Sequence, residues 1–163
     1  MLNRRLVLSG MTGMTLLAAW KWLQGSKAVE ASGAFEVLKT DAEWRTTLTK
    51  AQYEVLRLHQ TERPGSSILD HEARVGTYAC AGCDLPLFSS RAKFDSRTGW
   101  PSFYEPLANA IGTSVDRSLF FPRTEVHCRR CGGHLGHVFE DGPAPTGLRY
   151  CMNGVALKFL PET

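Results

Sequence analysis

The sequence predicts a mainly β fold in which a short helical segment packs on an antiparallel β body. Fifteen Gly and eight Pro among 163 residues favour many turns and short strands over long helices. Near the end of the chain, Val155, Leu157 and Phe159 alternate with Ala and Lys, as expected of a half-buried strand. With 43% hydrophobic and 21% charged residues, the chain is long enough for one domain and too short for two.

Two consecutive capping boxes predict the helical segment. Thr40-x-x-Glu43 and Thr49-x-x-Gln52 each place a threonine three residues before a side chain that can accept a hydrogen bond, which is a signature of a helix start. We therefore predict helices at about 41–48 and 50–59. The residues expected to face the core are Trp44, Leu48, Val55 and Leu56.

Short apolar and β-branched runs after residue 76 predict the β body. Bounded by turn residues, such runs are typical of strands. A stretch rich in Gly and Pro at 141–147 predicts an irregular loop. The predicted strands are 77–80, 119–121, 124–128, 149–152 and 155–159.

The first 28 residues differ in charge from the rest of the chain. They hold four of the 19 Lys and Arg and none of the 16 Asp and Glu, so the remaining residues carry a formal charge of about −1. A body this close to neutral gives no electrostatic reason to expect a nucleic acid as partner.

The same segment predicts an export signal. Arg4 and Arg5 precede an apolar run at 6–20, which resembles a twin-arginine signal. An uncleaved anchor is the alternative, although the run to residue 23 contains Lys21 and a spanning helix needs about 20 mainly apolar residues. We predict a signal or signal-anchor at 1–28, a linker at 29–34, a domain at 35–163 and a periplasmic location. The only membrane contact would come from an uncleaved anchor in the inner membrane.

Four of the five cysteines form two C-x-x-C pairs, Cys80 with Cys83 and Cys128 with Cys131. Zinc binds four thiolates in a tetrahedron, and each pair on a tight turn supplies two of them. The alternatives are two disulfides or a redox-active pair. Disulfides here would close very small loops and stabilise little. We predict one structural zinc ion per chain.

The fifth cysteine, Cys151, has no metal partner at suitable spacing. A cysteine reacts as its thiolate, and a neighbouring cation such as Arg149 favours that form. The alternative is an unreactive buried cysteine that behaves as a small apolar residue.

Two further clusters favour a reactive role for this cysteine. His134 and His137 lie directly after the second pair, with Asp141 beyond them, and imidazoles suit proton transfer near neutral pH. The alternative is that these two histidines are extra zinc ligands or structural histidines. Trp100 and Phe103 lie on a proline-containing turn and are either core residues or an apolar wall for a methyl or thioether group.

A series of motifs runs in order along the chain. They are the pair at 80–83, Lys93-Phe-Asp-Ser96 with Gly99-Trp-Pro-Ser-Phe103, Arg123-Thr-Glu125, 128–139, Asp141-Gly-Pro143 and Gly147-Leu-Arg-Tyr-Cys-Met-Asn153. Together they resemble the methionine sulfoxide reductase B family from about residue 35 to 161. The resemblance implies two antiparallel sheets and a structural zinc far from the catalytic cysteine. It also implies thiol-dependent reduction of the R epimer of methionine sulfoxide, mainly within oxidised proteins.

The resemblance also implies the nucleophile and the substrate contacts. The thiolate of Cys151, stabilised by Arg149, attacks the sulfoxide sulfur and becomes a sulfenic acid. Trp100 and Phe103 receive the methyl end of the substrate.

The same resemblance implies the acid–base groups. His134 and His137 protonate the departing oxygen. Neighbours that include Asp141 and Asn153 orient the two imidazoles.

The sequence departs from the family pattern at two positions that bear on how Cys151 is regenerated after the reaction. Arg97 replaces the usual glycine, and Thr98 stands where many members have a second, resolving cysteine. An external thiol, from a thioredoxin-like protein or a small molecule, must then complete the cycle. The competing classes are a zinc-knuckle binding module without catalysis and a thiol–disulfide oxidoreductase. The lone Cys151 argues against the first, and tight zinc binding would exclude the second.

The export signal leads to a first prediction. Replacing Arg4 and Arg5 with Lys should hold the protein in the cytoplasm, because the twin-arginine route reads the paired arginines. Cell fractionation of the wild type and the double variant measures this. Undiminished export of the variant would indicate the general secretory route instead.

Overall fold

The computed structural model describes residues 35–162, so the predicted signal and linker lie outside the described part. Within it, no helix is long and apolar enough to cross a membrane. The elements confirm a mainly β fold with two short helices. In chain order they are α1 (Asp41–Thr47), α2 (Lys50–Leu58), β1 (Gly76–Cys80), β2 (Pro86–Ser89), β3 (Lys93–Phe94), β4 (Ser102–Phe103), β5 (Ile111–Asp116), β6 (Arg123–Cys128), β7 (His134–Phe139), β8 (Arg149–Met152) and β9 (Leu157–Pro161).

Both predicted capping boxes form, and the predicted helices are confirmed to within one residue at each end. The Thr40 N–H donates to the Glu43 carboxylate at 2.7 Å, and the Glu43 N–H donates back to the Thr40 hydroxyl at 3.3 Å. Thr49 and Gln52 repeat the exchange at 3.0 and 3.2 Å. These contacts satisfy N–H groups that a helix start leaves free. The four predicted core residues are all buried: Trp44, Leu48, Val55 and Leu56.

The strands form two antiparallel sheets, as predicted. The smaller sheet has the order β2-β1-β9, and the larger has the order β3-β4-β8-β7-β6-β5. In the larger sheet, β8 lies between β4 and β7, so Cys151 is opposite Ser102 on one side and opposite His137 on the other. The sheet order therefore brings three separate sequence motifs together.

One of the predicted strands was wrong, and another was confirmed only from residue 157 onward. Residues 119–121 belong to the turn between β5 and β6, and their side chains are 59 to 93% exposed, because no strand lies beside them to pair with in the described part of the chain. The run at 155–159 divides into a 3-10 turn at Gly154–Ala156 and the strand β9. The sequence analysis also missed β2, β3, β4, β5 and β7.

Candidate active site and metal centre

Cys151 lies in a small cavity of about 130 Å³ at the larger sheet. The strand pairing β7–β8 places His137 next to it, and Trp100, on the turn before β4, forms another wall. Predicted site residues from three motifs therefore share one pocket. Its lining is Thr61, Trp100, Arg123, Gly136, His137, Phe139, Cys151 and Asn153.

The surroundings of Cys151 favour the neutral thiol. Burial raises the pKa of the Cys151 thiol, and the hydroxyl of Thr98, 3.9 Å from the sulfur, lowers it only in part. The positive charge of Arg149 also lowers this pKa. That guanidinium makes two hydrogen bonds of 2.8 Å to Asp141, and this neighbouring negative charge weakens its effect on the sulfur. The thiolate is therefore scarce at neutral pH until a base removes the proton.

His134 is a buried imidazole whose Nδ1 lies 2.7 Å from the carboxylate of Glu125. Burial lowers the pKa of His134 and therefore favours the neutral ring. Burial also raises the pKa of Glu125, but hydrogen bonds from Ser114 and His134 outweigh it and leave the pKa lowered. An ionised Glu125 accepts a hydrogen bond from the Nδ1–H group, so the neutral ring carries its lone pair on Nε2. This Nε2 is buried without a hydrogen-bond partner in the part of the chain that the structure describes.

His137 has a similar arrangement with a different carboxylate. Its Nε2 lies 2.8 Å from Asp116, whose second partner is Arg123 at 2.7 Å. Burial lowers the pKa of His137, although Asp116 opposes that shift. The rings of His134 and His137 meet edge to face with centroids 5.3 Å apart. The pocket thus presents a neutral imidazole beside a neutral thiol.

The partners of these histidines differ from the prediction. Asp141 does not contact the imidazoles, because it lies in the exposed loop after β7 and pairs with Arg149. Glu125 and Asp116 contact them instead. The sequence signal for Glu125 was an acidic residue inside an otherwise β-forming run. Asp116 could be found only from the pairing of β5 and β6.

Glu62 organises one wall of the pocket, and the sequence analysis missed it. Its backbone N–H donates to the Asn153 side chain at 2.9 Å, and its carbonyl accepts from the Trp100 indole at 3.2 Å. Its carboxylate accepts the backbone N–H groups of Gly154 and Val155. Asn153 uses its other amide atom to donate to the carbonyl of Leu135 at 3.0 Å. The Asn153 side chain therefore joins two main-chain segments, and it makes no hydrogen bond to a histidine among the described residues.

Phe103 lies elsewhere than predicted. Its side chain is fully buried, stacks on Phe88 with centroids 4.4 Å apart and meets Tyr78 edge-on at 4.9 Å. These contacts are with the aromatic core between the two sheets. Contact with a substrate would require the core to open, because β4 alternates its side chains and Ser102 occupies the opposite face.

The four cysteines of the two C-x-x-C pairs converge, and their sulfurs all lie within 4.8 Å of one another. All four are free cysteines, so neither pair forms a disulfide bond. The sulfurs of Cys80 and Cys131 are 3.7 Å apart and those of Cys83 and Cys128 are 3.5 Å apart, well beyond the about 2.05 Å of a disulfide. This cluster could hold a metal ion. A second group, His59, Glu125 and His134, is also close enough, and its Glu125 carboxylate lies 3.1 Å from Nδ1 of His59 and 2.7 Å from Nδ1 of His134.

Comparison with known proteins identifies the family. The family model described as SelR domain matches residues 48–161. A peptide methionine sulfoxide reductase MsrB of Pseudomonas entomophila is 57% identical over 125 residues, which are 76% of this chain and 95% of that protein. The chain belongs to the methionine sulfoxide reductase B family.

Members of this family from distant organisms are almost as similar. A protein of the same name from Methanosarcina barkeri is 54% identical over 77% of this chain and 89% of its own length. One from Bradyrhizobium diazoefficiens is 53% identical over 78% of this chain and 92% of its own length. Membership of methionine sulfoxide reductase B makes this chain an oxidoreductase and confirms the resemblance seen in its motifs.

The raised pKa of Cys151 leads to a prediction about its reactivity. Because burial favours the thiol, alkylation by iodoacetamide should still accelerate above about pH 8.5, the ordinary value for a cysteine. Arg149→Gln removes a charge that lowers this pKa. The variant should therefore react up to about tenfold more slowly at about pH 8, which corresponds to one pKa unit.

Mass spectrometry of Cys151 over a pH series measures both effects. Arg45→Gln, a change at an exposed residue of α1, is the control and should leave the rate unchanged. A rate that levels off near neutral pH would contradict the assignment of a neutral thiol.

Proposed function

We propose that the chain reduces the R epimer of methionine sulfoxide, mainly in oxidised proteins, and forms a sulfenic acid on Cys151. The observation that supports this proposal is the shared pocket of Cys151 and His137 on adjacent strands. A sulfur nucleophile and a proton carrier in contact with one substrate are what sulfoxide reduction needs. The role of this chemistry would be protein repair.

In the proposed reaction, the Cys151 sulfur attacks the sulfoxide sulfur and the S=O bond breaks. The oxygen ends on Cys151 as a sulfenic acid, and two electrons pass from the cysteine to the sulfide product. The thiol proton must travel to the departing oxygen. A neutral His137 can relay that proton, because its lowered pKa leaves the ring unprotonated at neutral pH and favours passing the proton on to the departing oxygen. The raised pKa of Cys151 opposes the first transfer, from the thiol to the ring.

The other predicted residues have supporting roles in this proposal. His134 does not line the pocket but packs on His137, so it acts as a positioning residue or as a second proton carrier. Arg149 stabilises the developing thiolate. Trp100, whose indole is held by Glu62, supplies the apolar wall for the substrate methyl group.

The most direct test of the function uses the two epimers of N-acetyl-methionine sulfoxide with dithiothreitol as reductant. The R epimer should be reduced and the S epimer should not. Cys151→Ser should abolish turnover, since an oxygen nucleophile is far weaker at neutral pH. Turnover of the S epimer, or an active Cys151→Ser variant, would overturn the proposal.

We also propose that the four-cysteine cluster holds one structural zinc ion. Four sulfurs around zinc at about 2.3 Å lie about 3.8 Å apart in a regular tetrahedron, close to the observed 3.5 and 3.7 Å. The site would clamp the end of β1 in the smaller sheet to the end of β6 in the larger sheet, since Cys80 ends β1 and Cys128 ends β6.

Replacing Cys83 with Ser should remove zinc and unfold or strongly destabilise the chain. Structural zinc contributes on the order of 10 kcal/mol in small zinc domains, a large share of the stability of any domain. Cys151→Ser is the matched control and should keep both zinc and fold. Metal analysis and thermal unfolding measure these effects, and a stable, metal-free wild type would contradict the zinc assignment.

We also propose that an external thiol returns the Cys151 sulfenic acid to the thiol. Thr98 takes the place of a resolving cysteine, and its hydroxyl lies 3.9 Å from the Cys151 sulfur. Thr98→Cys should therefore place a second thiol within reach of a disulfide, which forms when the two sulfurs come to about 2.05 Å.

After one equivalent of substrate without reductant, the Thr98→Cys variant should contain a disulfide between its introduced thiol and Cys151. Peptide mapping detects this bond. Thr98→Ser, the control, should contain none. Absence of the disulfide in an active Thr98→Cys variant would show that the loop cannot bring the two sulfurs together.

The location remains a proposal that rests on the sequence pattern of residues 1–28. Paired arginines before an apolar run support export to the periplasm by the twin-arginine route. That route carries folded proteins, which would let zinc bind before export.

A further inference from the structure

A second and larger cavity, of about 430 Å³, lies against α2 and the segment that follows it. Its walls include Ala51 and Val55 of α2, Ile68, and Val155 beside β9. Val55 is buried, whereas Ile68 is 87% exposed. The cavity therefore combines apolar walls with an open mouth, as a site for one ligand side chain requires.

This cavity and the Cys151 pocket share a wall. Thr61 lines both of them. The next residue, Glu62, holds Trp100 and Asn153 of the Cys151 pocket through its backbone, and its carboxylate binds the N–H of Val155 in the second cavity. The two concavities are thus separated by a short piece of main chain.

A peptide substrate must extend beyond the pocket that receives its sulfoxide. Successive Cα atoms of a peptide are about 3.8 Å apart, so a residue near the sulfoxide can reach past Thr61, which lines both cavities. The Gln60 amide at the same wall can both donate and accept a hydrogen bond with a peptide backbone. The peptide chain itself is therefore the ligand that can occupy both concavities at once.

The charges of the second cavity indicate which side chains suit it. Glu54 and Glu62 contribute carboxylates to its lining, and Glu54 is paired with the exposed Lys50. An acidic side chain would meet like charge there. An uncharged apolar side chain would instead bury surface against Val55, Val155 and Ile68.

We propose that this cavity is a peptide subsite, which binds an uncharged apolar residue flanking the methionine sulfoxide. The proposal rests on the proposed function, because it needs the sulfoxide in the Cys151 pocket. It makes the chain selective for the sequence around the oxidised methionine, with leucine-like neighbours preferred over glycine and acidic neighbours disfavoured.

The test compares kcat/KM for short blocked peptides whose residues around the R sulfoxide are Leu, Gly or Glu. N-acetyl-methionine R-sulfoxide serves as the reference substrate. The wild type should prefer the Leu peptide over the Gly peptide by about tenfold, the lower end expected for burying a leucine side chain. The Glu peptide should be the poorest of the three.

Ala51→Trp fills the cavity from an exposed helix position and should reduce the Leu-to-Gly ratio to near one. Ala42→Trp makes the same change on α1, outside the cavity, and should keep the ratio of the wild type. Ile68→Ser removes an apolar wall without adding bulk and should also lower the ratio, which covers the case in which Ala51→Trp does not fold.

Two results would overturn the proposal of a peptide subsite. One is a wild type that turns over the three peptides equally, and the other is an Ala51→Trp variant that keeps the Leu preference. Failure of the wild type on the reference substrate would instead overturn the proposed function, so the two failures are distinguishable.

Discussion

The site depends on the antiparallel pairing of β7 with β8, which sets His137 opposite Cys151. A slip of one residue would turn the imidazole to the other face of the sheet, since side chains alternate along a strand. The pairing also requires Gly136, because a Cβ there would lie only 2.1 Å from the carbonyl oxygen of Cys151. The glycine between the two histidines therefore permits the close approach of the two strands that carry Cys151 and His137.

Burial shifts the pKa values of these two facing residues in opposite directions. It raises the pKa of Cys151 and lowers that of His137, so both groups are neutral before substrate arrives. Asp116 and Glu125 hold the imidazoles in place. A neutral pair keeps the thiol from reacting indiscriminately, because the thiolate is the oxidisable form. The proposed reaction then needs only the transfer of one proton from sulfur to oxygen.

The sequence predicted the features that depend on local patterns. Capping boxes located α1 and α2, and the C-x-x-C pairs located the four-cysteine cluster, because each of these patterns depends on residues a few positions apart. Features that depend on tertiary contacts were missed. Asp141 was predicted to orient the histidines but lies on the exposed loop after β7, and Phe103 was predicted to contact the substrate but fills the core. The pattern around Glu62 indicates only the end of a helix, and its role arises from contacts with residues far along the chain.

In the proposed mechanism, Cys151 alone accepts the substrate oxygen and the other four cysteines serve the fold. A single turnover without reductant distinguishes this mechanism from one that uses the cysteine cluster, because it counts the methionine formed per chain and maps the oxidised residue. We expect one methionine per chain and one added oxygen on Cys151, trapped by a sulfenic acid reagent, with the cysteine pairs unchanged. A disulfide between Cys151 and any of Cys80, Cys83, Cys128 or Cys131 would contradict the mechanism, because the cysteine cluster would then take part in the reaction.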